Sequence, residues 1–383
     1  MEASKPSHLP AIAALRGIAA LYVVLFHMTY LPRVEPPGWL LSFVTSGYSG
    51  VPLFFIISAF TLCHTSLGRA ETHPTLRFYG RRVIRIMPLF YCVLVVELAR
   101  RILLSHQHIS SRIVLLNAAV LFNFVPGKEQ GIVMASWSIG VEMLFYAMFP
   151  WLFRRVNNIR RALVFFVVSV VVSALFSLLV DRLRFPPATR DDFFRFSLLR
   201  SMPCFAVGMI VFWVYRSPWM ASLSRRMGAW LLLAGVAAFF ALVSLNMNNS
   251  RPAAAIHAVP YGISVLGCLG TNFKGLVNRF TEFCGEISYS LYLWHPLVIF
   301  SVMGLYRAVY ARLPHAIAWF ICLGLTLAVL FPVAYASYRF IEEPTRKAAS
   351  RSFGRWVDRL TAVEGAAAWP LPARLARLDG RKI

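Results

Sequence analysis

Acidic residues are scarce in this chain. Asp and Glu number 16 against 39 Lys and Arg, and only 14% of the 383 residues are charged. Soluble domains carry about a quarter charged residues, so a soluble globular class is excluded. Paired cysteine motifs are also missing. Cys63, Cys92, Cys204, Cys268, Cys284 and Cys322 sit singly in or at the ends of apolar segments. That excludes a secreted disulfide scaffold, a structural zinc and a dithiol redox centre. Small apolar packing is the role left for them. No internal repeat is visible, which argues against many secondary-transporter architectures. No hydrophilic stretch is long enough for a soluble domain. The net charge of +23 does not indicate nucleic-acid binding. The basic residues punctuate apolar runs and form no patch on a domain of their own.

What the chain has is long apolar runs. Hydrophobic residues make up 58% of it, and the mean hydropathy is +0.63. A membrane-spanning helix needs about 20 mostly apolar residues. Windows of that size give ten: 11–31, 46–66, 83–104, 137–155, 162–181, 197–215, 228–246, 253–271, 285–306 and 317–339. The expected class is an all-α polytopic membrane protein of about ten transmembrane helices. Residues 1–344 form its transmembrane domain, and 345–383 form a basic cytoplasmic tail lying on anionic lipid. The apolar run 112–124 is too short to span, and reads as interfacial or re-entrant. Arg16 interrupts the first span and no small-residue cleavage site follows it, so the span reads as a permanent helix.

Ionisable groups inside a bilayer are costly, so each is a functional candidate. In the first span, Arg16 and His27 are eleven residues apart. That is three helical turns, so both share one face about 16 Å apart along the axis. A snorkelling arginine and a packing histidine are the plainer alternative. Arg82 and Arg85 are spaced i, i+3 at the mouth of the third span and face the same way. A face-matched arginine pair suits a phosphate-bearing ligand. Glu97 lies deeper in that span. Ser138, Glu142 and Tyr146 form a stripe on the fourth span, with Glu142 expected at the depth of His27. A base–orienter pair and a buried ion pair with an arginine are both open for Glu142. Ser288, Tyr292 and His295 form a polar stripe on the ninth span, and Pro296 frees a backbone carbonyl beside it. These three, with Ser58 of the second span, are candidate cavity-lining residues. The other small residues there, Gly47, Gly50 and Ala59, read as packing. Arg16, Arg82 and Arg85 thus converge on one side, with His27 and Glu142 toward the other. The track between them is about as long as an extended pantetheine arm, which points to acyl-coenzyme A.

The same residues resemble a known family. Arg16-x10-His27, the stretch Gly50 to Phe60, Arg82-x-x-Arg85 before Pro88, Trp137-Ser138 through Glu142 to Phe145-Tyr146, Ile287-Ser288-Tyr289 through Tyr292-Leu293-Trp294-His295, and Ile341-Glu342-Glu343-Pro344 occur in order. Together they are similar to the integral-membrane acyltransferase type 3 family, which includes O-antigen and Nod-factor O-acetyltransferases. The resemblance runs from Leu9 to about Pro344. It implies ten spans, acyl-coenzyme A as co-substrate with no bound cofactor or metal, and transfer to a carbohydrate hydroxyl on the far side. It further implies that His27 and Arg16 are essential and that Arg82 and Arg85 serve the donor. Ala59 stands where the family usually has Gly. Some relatives add a periplasmic esterase-like domain. This chain has no room for one and is expected to act alone.

The function expected is membrane O-acyl transfer, of acetyl groups by family default, to a cell-surface or lipid-linked carbohydrate. His27 and Glu142 would be catalytic, and Arg16, Arg82 and Arg85 would bind the donor. Direct transfer with His27 as general base and an acyl-histidine intermediate both remain open. Transport of an anionic lipid or acyl donor without bond formation is the alternative, and a membrane scaffold is a third reading. The expected location is the bacterial inner membrane. With both termini inside, 25 of the 39 Lys and Arg lie on the cytoplasmic side and 13 outside, Arg16 being within a span. Positive charge favours that orientation. A reporter fused in loop 156–158 is therefore expected to read cytoplasmic, and one in loop 311–314 external. The reverse pattern would overturn the orientation.

Overall fold

A computed structural model describes residues 9–67, 73–245 and 253–348, with 353, 355, 357 and 359. Among the described residues there is no strand. The chain opens with α1 (Pro10–Tyr30), α2 (Leu41–Thr45) and α3 (Gly50–Ser66). Then come α4 (Pro74–Ala99), α5 (Ser111–Ala118), α6 (Trp137–Arg155) and α7 (Ile159–Asp181). They are followed by α8 (Pro187–Arg195), α9 (Leu198–Tyr215), α10 (Pro218–Ala221), α11 (Arg225–Ser244) and α12 (Ala253–Thr271). The last are α13 (Arg279–Glu286), α14 (Ser288–Tyr310) and α15 (His315–Ser337).

Local chemistry sets many of these ends. Asn158, Ser197 and Ser224 accept backbone N–H bonds at the starts of α7, α9 and α11. Asn278 and Thr281 form a reciprocal capping box on α13. Each satisfies donors that the first helical turn leaves free. Proline at the first turn starts α1 and α4, where its missing N–H costs nothing.

Among the described residues, eight helical segments are long and apolar enough to cross a membrane. The third and fourth of the ten expected spans, α4 and α6, fall outside that set. Both are of spanning length. They fall short in apolarity because they hold Glu97 and the charges placed at the candidate site, Arg82, Arg85 and Glu142. The protein is thus an all-α, multi-pass membrane protein in which the two most polar long helices serve the interior. Helix α5 has 8 residues and cannot span. The expected ninth span is broken: α13 ends and α14 begins around Ile287. Helix α4 starts nine residues before the expected boundary at 83.

Helix α1 is the hub, packing on α2, α3, α12, α13, α14 and α15. Its closest approach is to α13. A Cβ on Gly285 would fall 2.0 Å from the Ala13 carbonyl oxygen, and one on Gly17 would fall 2.5 Å from that of Thr281. Backbone therefore lies on backbone beside Arg16. Helix α3 approaches α1 in the same way through Gly50, and the turn before it through Gly47. On its far side, Ala59 is buried against Gly208 of α9, which leaves room for the methyl group. Helix α7 turns Val164, Val171 and Leu178 outward and buries Ser169, Ser173 and Ser177, with α9 as its neighbour. That polarity is inverted relative to a soluble helix and fits a lipid-facing one. The six cysteines are free, five of them buried. Past the last span, Val357 is buried and the Phe353 ring abuts Gly80 of α4. These two tail residues therefore pack on protein, and residues 349–352, 354, 356, 358 and 360–383 lie outside the described residues.

The α1–α13 contact generates a stability prediction. Gly285→Ala forces a methyl group into backbone and is expected to cost about 1–3 kcal/mol or more, read as a lower thermal midpoint in detergent. Gly304, with nothing within 4 Å of an added Cβ, is expected to accept Ala without loss. Equal midpoints for the two variants would contradict the contact.

Candidate active site

One cavity of about 90 Å³ lies among α1, α3, α4, α6 and α14. Arg16, Ser58, Arg82, Arg85, Ser138, Glu142, Tyr146, Ser288, Tyr289 and Tyr292 line it. The structure thus brings together the three expected arginines, Glu142, and three of the four expected cavity residues. Helix spacing aims Arg82 and Arg85 into the same space. No hydrogen bond or ion pair joins Arg16, Arg82 or Arg85 to another described residue. The Arg82 guanidinium lies over the rings of Phe78 and Tyr146, at 5.6 and 5.7 Å, and its buried Nε has no partner. Leaving a buried cationic donor unpaired is costly. The nearby acidic charges are Glu142 and Glu342, and Glu342 accepts from Ser290. Three cations against two carboxylates leave a positive cavity suited to an anion.

Glu142 is held from two helices. Ser58 donates to its Oε1 at 2.6 Å, and Tyr146 to the same oxygen at 2.5 Å. Of the two arrangements open for Glu142, a pair with His27 and a pair with an arginine, the structure bonds neither among the described residues and places Glu142 on the cavity that the arginines line. The reason lies before α6. Ile132, Val133, Ala135 and Ser136 are buried, so α6 begins inside the protein and its second turn reaches the arginines.

His27 and His295 do not line the cavity. They meet just beyond it, His295 Nε2 to His27 Nδ1 at 3.0 Å. The connection to the cavity is Tyr292. Its hydroxyl donates to the Ala135 carbonyl at 3.0 Å and lies 2.8 Å from Ser138 Oγ. Its own carbonyl accepts from His295 Nδ1 at 2.7 Å. His27 is half-buried, whereas His295 is fully buried.

Ser288 donates to the Gly285 carbonyl at 2.8 Å, closing the break between α13 and α14. Glu97 pairs with Arg100 and Arg101 on its own helix, at 2.8 and 2.6 Å. Arg101 also donates to the Ile132 carbonyl, tying down the segment before α6. Sequence reasoning passed over Tyr289, which lines the cavity and donates to the Ile86 carbonyl at 2.8 Å. Its neighbour Ser288 had been singled out, but Tyr289 falls outside the i, i+4, i+7 stripe.

A family profile described as an acyltransferase domain matches residues 9–336. The chain belongs to this acyltransferase family. It is 24% identical over 386 aligned residues to the O-acetyltransferase OatA of Staphylococcus aureus, covering 91% of this chain and 59% of that protein. It is 26% identical over 355 residues to a protein of Komagataeibacter xylinus named as a membrane-bound transacylase, BcsY, covering 86% and 81% of the two chains. A third relative, 25% identical over 307 residues, is named as an acetyltransferase, ORF330, of Acidianus two-tailed virus. That match covers 77% of this chain and 86% of the viral protein. The chain thus spans about three fifths of the staphylococcal relative's length. No solved structure matches the chain.

The unpaired arginines generate the site's prediction. Arg82→Ala combined with Arg85→Ala is expected to weaken apparent affinity for acyl-coenzyme A, each lost charge-assisted bond costing about 1.5–3 kcal/mol. Lys at both positions should restore it only in part, because it lacks the bidentate fork. An unchanged apparent KM for the donor in the Ala double variant would remove the phosphate-site idea.

Proposed function

We propose that this protein is a membrane O-acyltransferase. It takes an acyl group, acetyl by preference, from acyl-coenzyme A on the cytoplasmic side. It passes that group to a hydroxyl of a cell-surface or lipid-linked carbohydrate on the other side of the bacterial inner membrane. The observation that carries this reading is the meeting of Arg16, Arg82 and Arg85, without bonded partners among the described residues, on one interior cavity. The names of the staphylococcal and Komagataeibacter relatives support the acyl, and for one the acetyl, part of it.

In this reading the arginines hold the phosphates of the donor, and the thioester extends toward Tyr292 and the histidines. The acceptor hydroxyl gives its proton to His27 as its oxygen bonds to the thioester carbonyl carbon. The carbon–sulfur bond breaks, and the departing thiolate takes the proton from His27. The products are an ester and free coenzyme A. General-base catalysis of this kind contributes about 10²–10⁴ in rate.

The test is thiol release by purified protein in lipid vesicles supplied with acetyl-coenzyme A. Release is expected to depend on an added glycan acceptor. It should fall about 10²- to 10⁴-fold in His27→Gln, whose amide takes up no proton at neutral pH. His315→Gln, at the exposed start of α15, should behave as wild type. Near-wild-type transfer by His27→Gln would sink the general-base role. Acceptor-independent movement of donor without thiol release would sink the transferase itself.

A further inference from the structure

We propose that His295 is a positioning residue that fixes the tautomer of His27, holding a proton on His27 Nδ1 and leaving its Nε2 lone pair free. The inference rests on the base role given to His27 above, and adds what sets that base.

The argument begins with Pro296. Proline has no N–H, so the carbonyl four residues earlier, that of Tyr292, loses its helical donor. A buried carbonyl without a donor is costly. His295 Nδ1 lies 2.7 Å from that oxygen. A carbonyl oxygen only accepts, so His295 Nδ1 must bear hydrogen. His295 is fully buried, and among the described residues its ring nitrogens meet the Tyr292 carbonyl and His27 and no carboxylate. An imidazolium there would be a buried, uncompensated charge. His295 is therefore neutral, and its Nε2 holds a lone pair.

That lone pair faces His27 Nδ1 at 3.0 Å. The same Nδ1 lies 3.1 Å from the Val23 carbonyl oxygen. Both neighbours are acceptors, so His27 Nδ1 also bears hydrogen, shared between them. In the neutral ring that a general base requires, the remaining nitrogen of His27, Nε2, is the unprotonated one. Both assignments follow from heavy-atom partners and the acceptor character of a carbonyl. His295 thus orients the base as the carboxylate orients the histidine of a serine-protease triad, but with a neutral acceptor. The dipeptide His295-Pro296 supplies both the partner and the vacancy that locks it.

The experiment is ¹⁵N solid-state NMR of histidine-labelled full-length protein in lipid vesicles at neutral pH. The signals that vanish in His27→Gln assign His27. Expected in wild type is a protonated Nδ1 and an unprotonated Nε2. The opposite tautomer, or an equal mixture, would overturn the inference whatever the protein's activity. Because this readout needs no turnover, a failure of the transferase reading stays distinguishable from a failure of this one. As a second arm, His295→Leu should mix the His27 tautomers and lower kcat by about 10² to 10⁴ with donor KM unchanged. His295→Gln, which keeps an acceptor toward His27, should recover part of both. Unchanged His27 signals in folded His295→Leu protein would also overturn the inference.

Discussion

A polar group inside a bilayer has no water to fall back on, so the protein must satisfy it or bear the cost. That constraint sorts this chain. The lipid-facing side of α7 is apolar, while the charged and hydroxylated residues of α1, α3, α4, α6 and α14 turn inward. Glu97 takes two arginines, Glu142 takes two hydroxyls, and the Tyr292 carbonyl takes a histidine. Against this pattern the exceptions stand out. Arg82 Nε and Thr61 Oγ1, both at the cavity, are buried without partners. Among the described residues, His73 Nε2, Asn123 Oδ1, Arg190 Nε and His257 Nε2 are also buried without partners, away from the cavity, whereas Arg82 Nε and Thr61 Oγ1 stand where a ligand in the cavity would complete them.

The interior holds two polar clusters that one residue joins. Tyr292 presents its hydroxyl to the cavity beside Ser138 and its carbonyl to His295. Its position is set from both sides. Ahead of it, Ser288 closes the break at Ile287. Behind it, Pro296 withdraws the N–H that its carbonyl would otherwise meet. The irregular stretch of α14 therefore lies within the protein, between cavity and histidines, where non-ideal backbone in a membrane is tolerated.

Much of this was legible in the sequence, for identifiable reasons. Apolar runs and helical periodicity place the spans, and face arithmetic predicts that Arg82 and Arg85 share a cavity. The depth of Glu142 was not legible. Periodicity gives the face of a residue, while depth depends on where a helix starts. Helix α6 starts below a buried, non-helical segment that Asn117 and Arg101 hold through the backbone of Ile132. The partner of His27 was half legible. The polar stripe named His295 and the proline named the freed carbonyl, but only the fold brings residues 268 positions apart to 3.0 Å.

Helix α1 turns these two clusters into a measured distance. It has no internal proline, whereas α4, α6, α9, α12, α14 and α15 each have one. Its backbone is clamped against α13 through Gly17 and Gly285. Arg16 and His27 therefore keep a fixed axial separation of about 16 Å on one face. In the proposed reaction, an anion held at the arginines brings its reactive group to His27 only if a long, thin arm spans that distance. A compact anion would fill the charge and leave the base idle. In that reaction, selectivity for a donor with a distant acyl group would follow from the spacing of two residues on one straight helix, with no pocket around the acyl group required.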